Sequence, residues 1–418
     1  MLTVKDLNNL QGKKVLVRVD FNVPHKGAEI SDDNRIRAAV PTIAELLKKG
    51  ARVVLMSHLG KVDWKKLKKG EKTQEEIDAQ MKKNDLSIAV APLEGHLEAA
   101  LGRKVRVLFS KENRGEELKE AVASLNDGEA LIVQNTRYQP GEEKNDPELA
   151  KEWAGLVDVF VMDAFGSAHR AHASTHGVPE VLKSEGKPVA VGYLVENEVE
   201  KLMRCVEVKD EDRPYVAILG GLKVTDKIQV IDTLLKKCDY IIIGGAMAYT
   251  FLKSQGKEIG KSFLDEGALE YAANCLKEAN GRIILPVDSV VTDSFEPVEN
   301  RQIKVVEGPI PSDFEGVDIG PKTRELYASI IAKAKMVFWN GPMGVFEQPE
   351  FQEGTKAVCE AIRDLKGKAF TVCGGGDSAS AVKQFGYKAD FSHVSTGGGA
   401  SLEMIQNDGH LPGIDVLK

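Results

Sequence analysis

The sequence predicts an α/β protein made of two Rossmann-like three-layer lobes with parallel sheets, joined by a helix hinge. Three observations predict it. Short apolar runs rich in β-branched residues alternate with longer amphipathic stretches along the whole chain. The runs are apolar on both faces, as strands of a sheet covered on both sides must be. The rhythm stops once near the middle and then resumes, and 418 residues suffice for two cores.

In chain order, "KVLVRVDF" (14–21), "ARVVLMSH" (51–58), "VRVLF" (105–109), "ALIVQN" (130–135) and "DVFVMDAF" (158–165) read as strands of the first lobe. The lysine-rich stretch 61–85, with mixed charges around one aromatic residue, reads as a solvated excursion. The break falls within 192–214, where Leu194, Val195, Val199 and Leu202 share one side of a helix before the charged "KDEDRP" ends it. "YVAILGG" (215–221), "YIIIGGAM" (240–247), "RIILPVD" (282–288), "MVFWNGP" (336–342) and "AFTVCGGG" (369–376) then supply the second set of strands. The expected division is 1–190 for the first lobe, 191–212 for the connecting helix and linker, 213–404 for the second lobe and 405–418 for a tail.

With 42% hydrophobic and 28% charged residues, the chain has the profile of a folded globular protein. A net charge of −7 argues against broad nucleic-acid binding but leaves room for local cationic pockets. Cys205, Cys238, Cys275, Cys359 and Cys373 are scattered with no CxxC pair, which suits a reducing compartment and small buried hydrophobes rather than zinc. No signal peptide and no run of roughly 18 apolar residues is present, so a cytoplasmic location and no membrane partner are expected.

Ligands of open parallel sheets bind beyond the carboxyl ends of the strands. In the first half those ends carry Asp20 and Asn22 with Arg35 soon after, His58 and Lys61, Arg137, and then His169, Arg170 and His172. Several basic or hydrogen-bonding groups at successive strand ends imply a site for a small, highly charged anion, since arginine forks match phosphate and carboxylate oxygens. In the second half the ends are glycine-rich: "LGGLKVTDK", "IGGAMAYTF", "WNGPMGVFE", "CGGGDSASA" and "STGGGASLE". Glycine permits close backbone approach and helix starts offer unpaired N–H groups, so five such turns point to a nucleotide and its phosphates. Lys223 and Lys227 would lie on one face if their segment is helical, and Asp377 is a candidate ligand for nucleotide-bound magnesium. No GxGxxG opens either lobe, which disfavours a dinucleotide enzyme. "QGKEIGKS" (255–262) has Gln255 where a phosphate-binding loop needs its first glycine.

Taken in order, "VLVRVDFNVP", "SDDNRIRAAVPTI", "SHLGK", "DAFGSAHRAHAST", "AILGGLKVTDKI", "GGAMAYTFL", "DIGPKT", "WNGPMGVFE", "GGGDSASAV" and "HVSTGGGASLE" resemble the phosphoglycerate kinase family along nearly the entire chain. The resemblance implies magnesium-dependent phosphoryl transfer between 1,3-bisphosphoglycerate and ADP, giving 3-phosphoglycerate and ATP. It implies that Asp20, Phe21, Asn22, Arg35, His58, Leu59, Gly60, Lys61, Arg137 and Arg170 surround the phosphoglycerate. Lys223, Lys227, Gly244, Gly245, Gly316, Asn340, Glu347, Gly375, Gly376, Asp377 and Ser378 would surround the nucleotide, with Asp377 as the metal ligand. Arg35, Lys223, Gly376 and Gly399 would act on the transferring group. A monomer is implied, as is a C-terminal tail returning to the first lobe. The sequence departs from the family pattern at Lys61, where arginine is usual after "SHLG", and at Leu222, Ala246 and Ser378, where alanine, glycine and threonine are usual. The segment 62–98 has no clear counterpart in that pattern.

Overall fold

The computed structural model describes residues 1–418 and divides by contacts into two units, Met1–Glu200 with His410–Lys418, and Lys201–Gly409. In the first unit the strands are β1 (Leu2–Thr3), β2 (Lys14–Arg18), β3 (His25–Lys26), β4 (Glu29–Ile30), β5 (Arg52–Met56), β6 (Val107–Ser110), β7 (Ala130–Val133), β8 (Val159–Met162) and β9 (Val189–Val191). Seven of them form one parallel sheet in the order β1-β9-β8-β2-β5-β7-β6, while β3 and β4 make a small hairpin. The central strands are buried on both faces, so "VLV" and "VVLM" lack polar alternation because helices cover both sides. The order reverses around β2, which places the carboxyl ends of β2, β5, β7 and β8 around one crevice.

The second unit holds β10 (Tyr215–Leu219), β11 (Tyr240–Ile243), β12 (Ile283–Ile284), β13 (Asp288–Thr292), β14 (Ile303–Glu307), β15 (Glu315–Ile319), β16 (Met336–Asn340), β17 (Phe370–Cys373) and β18 (His393–Val394). Six form a parallel sheet, β12-β11-β10-β16-β17-β18, and β13, β14 and β15 form a separate antiparallel sheet. Its main core joins Val216, Ile218, Trp339, Tyr327, Ile362 and Val382, so the helices lie against the sheet. All five cysteines are free and buried here.

The expected strands are all present, each shorter than its apolar run. The short edge strands, the β3–β4 hairpin and the antiparallel sheet are additions that the alternation did not mark. The helix Tyr193–Val206 spans the division between the units, which falls at Glu200/Lys201. Val195 and Leu202 are buried on it, while Leu194 and Val199 are only half-buried. Residues 405–409 lie with the second unit and the last nine with the first, where Gly413 N–H donates to the Ala168 carbonyl at 2.8 Å. No helix is long and apolar enough to cross a membrane.

The excursion at 61–85 differs from its expectation. It folds as two helices, Trp64–Lys68 and Gln74–Lys83, whose lysines face outward. Asp63, Trp64, Gln80 and Asn84 instead make hydrogen bonds that tie the segment down. Charge counting registers the lysines but has no means of detecting the inward polar set.

Candidate active site

The first unit builds a polar pocket from the loops that leave β2, β5, β7 and β8. Arg35, in the first turn of the helix Asn34–Lys48, reaches back to Asp20 at 3.2 Å and to the Asn22 carbonyl at 3.0 Å. Its side chain remains 44% exposed. The Asn22 amide oxygen accepts from Gly60 N–H at 2.8 Å, and the Gly60 carbonyl accepts from Arg137 Nη1 at 2.6 Å. One chain of contacts thus links the β2, β5 and β7 loops. Arg170 is exposed on the loop after β8, and Lys61 is 69% exposed, 3.9 Å from Asp63.

Phe21 and Leu59 are placed inside the loops rather than on their polar face. Phe21 is buried in the core and its N–H is spent on Ser57 Oγ at 2.8 Å. Leu59 is buried, with both backbone groups held by the Asn135 side chain. They shape the loops that carry Asp20, Asn22 and His58, and their side chains are not turned to the pocket's polar groups. Gly60 sits at φ +60° with Asn84 packed beneath it, so a side chain there would be both strained and blocked.

The histidines also depart from a cationic reading. Burial, then the Arg18 and Arg137 charges, hold His58 well below its ordinary pKa. Burial brings His169 down to about 4, and it likewise lowers His172. All three are neutral near pH 7, leaving the arginines and Lys61 as the source of positive charge.

Arg18 is a residue that sequence reasoning passed over. It is fully buried at the end of β2 and donates to Ser174 Oγ at 2.8 Å, the Val19 carbonyl at 2.6 Å and His58 Nδ1 at 3.0 Å. Ser174 in turn donates from its hydroxyl and N–H to the buried carboxylate of Glu142, at 2.6 and 2.8 Å. Because guanidinium only donates, His58 Nδ1 must be the acceptor and Nε2 carries the proton. The available signal was an arginine inside an otherwise apolar strand, "KVLVRV".

In the second unit, β10, β11, β16 and β17 each run directly into glycine. Gly220, Gly245 and Gly341 are required by loop-to-loop packing: a methyl group on Gly220 would collide with the Pro342 carbonyl, and one on Gly341 with Gly220. Part of the glycine signal is therefore structural. Gly375 has φ +107° and precedes the ten-residue helix Gly376–Phe385, whose first turn carries Asp377 exposed and Ser378 buried. Ser378 Oγ accepts from Gly341 N–H at 2.5 Å. A second helix, Gly399–Gln406, also starts on glycine. The N–H groups of a first helical turn have no partner within the helix and favour anions.

Lys223 and Lys227 do not share a helical face. Lys223 lies exposed in the loop before the short 3-10 turn Thr225–Lys227, because the helix starts only at Ile228. Lys227 is half-buried and hydrogen-bonds to Asn340 Oδ1, while Asn340 Nδ2 donates to the Gly374 carbonyl at 2.9 Å. Burial lowers Lys227 to about 8, with Asp226 and Asp377 opposing that shift. Its charge is thus present below pH 8 and lost as pH rises through that value.

A cavity of about 170 Å3 lies among Gly221, Leu222, Gly245, Ala246, Gly316, Met343, Val345 and Glu347. Gly316 is needed there because any side chain would strike Tyr249. Glu347 is the carboxylate of this otherwise apolar and backbone lining, and Gly244 packs behind it on Met343. A larger cavity of about 380 Å3 near Pro286 and Ile310 contains none of the residues expected at the site.

Comparison with known proteins identifies the family. The family model for "Phosphoglycerate kinase" matches residues 4–408. Among solved structures, phosphoglycerate kinase from Coxiella burnetii is 36% identical, with 100% of this chain and 98% of that chain covered and a TM-score of 0.82. The enzyme from Pyrococcus horikoshii OT3 is 30% identical over 100% of this chain and 98% of that chain, with a TM-score of 0.79.

Proposed function

The chain belongs to the phosphoglycerate kinase family, and from that premise we propose which of its residues serve each ligand. The activity is that of a glycolytic phosphotransferase with a carboxyl-group acceptor, moving a phosphoryl group reversibly between 1,3-bisphosphoglycerate and ADP. We assign Asp20, Asn22, Arg35, His58, Lys61, Arg137 and Arg170 to the phosphoglycerate, with Phe21, Leu59 and Gly60 forming the loops around it. Lys223, Lys227, Asn340, Gly375, Gly376, Asp377 and Ser378 go to the nucleotide phosphates. Gly244, Gly245, Gly316 and Glu347 go to the nucleoside, and Gly399 to the transferring group. The observation that carries the assignment is the Lys227–Asn340–Gly374 network, which holds a cation against the glycine turn that starts a phosphate-competent helix.

The donor is an acyl phosphate and the attacking ADP oxygen is already ionised, so the reaction needs no general base. Positioning and neutralisation of charge on the transferring oxygens remain for the protein to supply. Arg35 contributes from the first unit and Lys223, with the helix starts at Gly376 and Gly399, from the second. Water must be kept from the transferring group while they act, because it hydrolyses the acyl phosphate. Neutral His58 offers Nε2–H as a fixed donor to an anionic oxygen. Asp377 fits a magnesium ion carried in on the nucleotide: it is an exposed carboxylate oxygen donor, and no group of three or more His, Cys, Asp or Glu forms a separate metal cage. Such an ion neutralises phosphate charge. A cytoplasmic monomer completes the proposal.

The test is magnesium-dependent ADP formation from ATP and 3-phosphoglycerate, with a control lacking 3-phosphoglycerate. Turnover in the complete mixture alone is expected. A folded, nucleotide-binding protein without such turnover would refute the assigned acceptor.

Two further results are expected. Lys61→Arg should lower KM for 3-phosphoglycerate about two- to tenfold by restoring a bidentate fork; an unchanged KM would show that the point charge suffices. Bound polyphosphate favours the charged form of Lys227, so nucleotide affinity should be level below pH 8 and weaken by up to about tenfold per pH unit above it. Calorimetry at pH 8.5 in buffers of different ionisation enthalpy should show proton uptake, which Lys227→Arg abolishes. Equal uptake in both proteins would assign the proton elsewhere.

A further inference from the structure

The helical segment after Gly60 lies outside the motifs that carry the family likeness, yet its inward side is engaged with the loop bearing Arg137. Trp64 Nε1 donates to the Arg137 carbonyl at 2.8 Å. The Tyr138 hydroxyl donates to the Met81 carbonyl. Gln134 accepts from Leu86 N–H at 2.9 Å and donates to Asp85 at 3.1 Å. Asn135 donates to the Asn84 carbonyl at 3.0 Å, and Asn84 to the Lys61 carbonyl at 3.2 Å. Asp63 holds the segment together, accepting from Lys72 at 2.8 Å and from Gln80 at 2.7 Å.

Arg137 sits on a three-residue 3-10 turn, too short to hold its own orientation. Its N–H is fixed by Asn135 Oδ1 at 3.0 Å, its carbonyl by the Trp64 indole, and its guanidinium by the Gly60 carbonyl. Nε is buried without a hydrogen-bond partner, 3.7 Å from Glu143. The β5 loop supplies one side of this support and the helical segment the other.

We propose that residues 62–86 form a clamp that positions Arg137 for the phosphoglycerate anion, with Trp64 as its principal positioning residue. This rests on the assignment of Arg137 to that anion. The clamp acts on ground-state binding of one substrate, so it separates KM from kcat, whereas a role in folding alone would move stability and leave KM unchanged.

The experiment is steady-state kinetics on the full chain with 3-phosphoglycerate varied at saturating ATP, for Trp64→Phe, Arg137→Lys and the double variant. Phenylalanine keeps an apolar ring and removes the indole N–H. KM for 3-phosphoglycerate should rise about three- to tenfold in Trp64→Phe, the range expected for one lost hydrogen bond, with kcat and the KM for ATP within about twofold. The double variant should be no worse than Arg137→Lys. An unchanged KM in Trp64→Phe beside a raised KM in Arg137→Lys overturns the clamp alone, as does full multiplication of the two effects. An unchanged KM in Arg137→Lys removes the assignment beneath the proposal, and the proposal with it. If Trp64→Phe does not fold, Tyr138→Phe, which releases Met81, is held to the same criteria.

Discussion

Lys223→Ala is expected to lower kcat by roughly 30- to 1,000-fold, about 2–4 kcal/mol of transition-state stabilisation, with a smaller rise in nucleotide KM. Lys223 is exposed, so its removal leaves no buried partner uncompensated and the fold should be unaffected. Its local setting supports that separation: Asp265, a carboxylate that feels the Lys223 charge, is already satisfied by Thr225 through its N–H at 3.0 Å and its hydroxyl at 2.7 Å. The loss should therefore fall on the step in which charge moves across the transferring oxygens. Initial rates over a range of ATP and 3-phosphoglycerate concentrations separate kcat from both KM values. Unchanged kcat would remove Lys223 from the mechanism.

The largest expected effect on stability is at Arg18. Arg18→Met preserves length and apolar bulk but leaves the Glu142 carboxylate buried, with Ser174 as its hydrogen-bond partner and without the charge of Arg18. Breaking a buried charge arrangement by removing one member costs about 3–5 kcal/mol. Arg18→Met with Glu142→Gln should recover much of that loss, because no uncompensated charge remains. Hydrogen exchange in β2, β7 and β8 reads the stability of the first sheet directly. A loss below about 1 kcal/mol in the single variant would mean that Glu142 is compensated by other means. His58 also loses the donor that defines its tautomer, so KM for 3-phosphoglycerate should rise in both variants.

Much of the architecture was legible because it depends on local composition. A strand covered on both faces must be apolar at every position, so "VLV", "VVLM", "YVAIL" and "MVFW" stand out without knowledge of their neighbours. Residues just beyond such strands are predictably near ligands, which brought Arg35, Arg137, Asp377 and the glycine turns into view. The edge strands β1 and β18, of two residues each, have no periodicity to read. The antiparallel sheet β13–β15 interrupts the α/β rhythm and is defined only by pairing between segments up to about thirty residues apart.

By itself, then, the sequence determined the two parallel sheets, the cationic character of one set of strand ends and the glycine character of the other, because each follows from residue type and position along a strand. Tertiary structure alone decided which of those groups carry charge and which support them. Burial neutralises the histidines, draws Lys227 toward neutral pH and gives Arg18 its role behind His58, since desolvation depends on what packs around a group and not on its neighbours in the chain. The same holds for 61–85: its lysines announce a solvated face, while the contact of Trp64 with Arg137, 73 residues away, exists only once the loops have folded together.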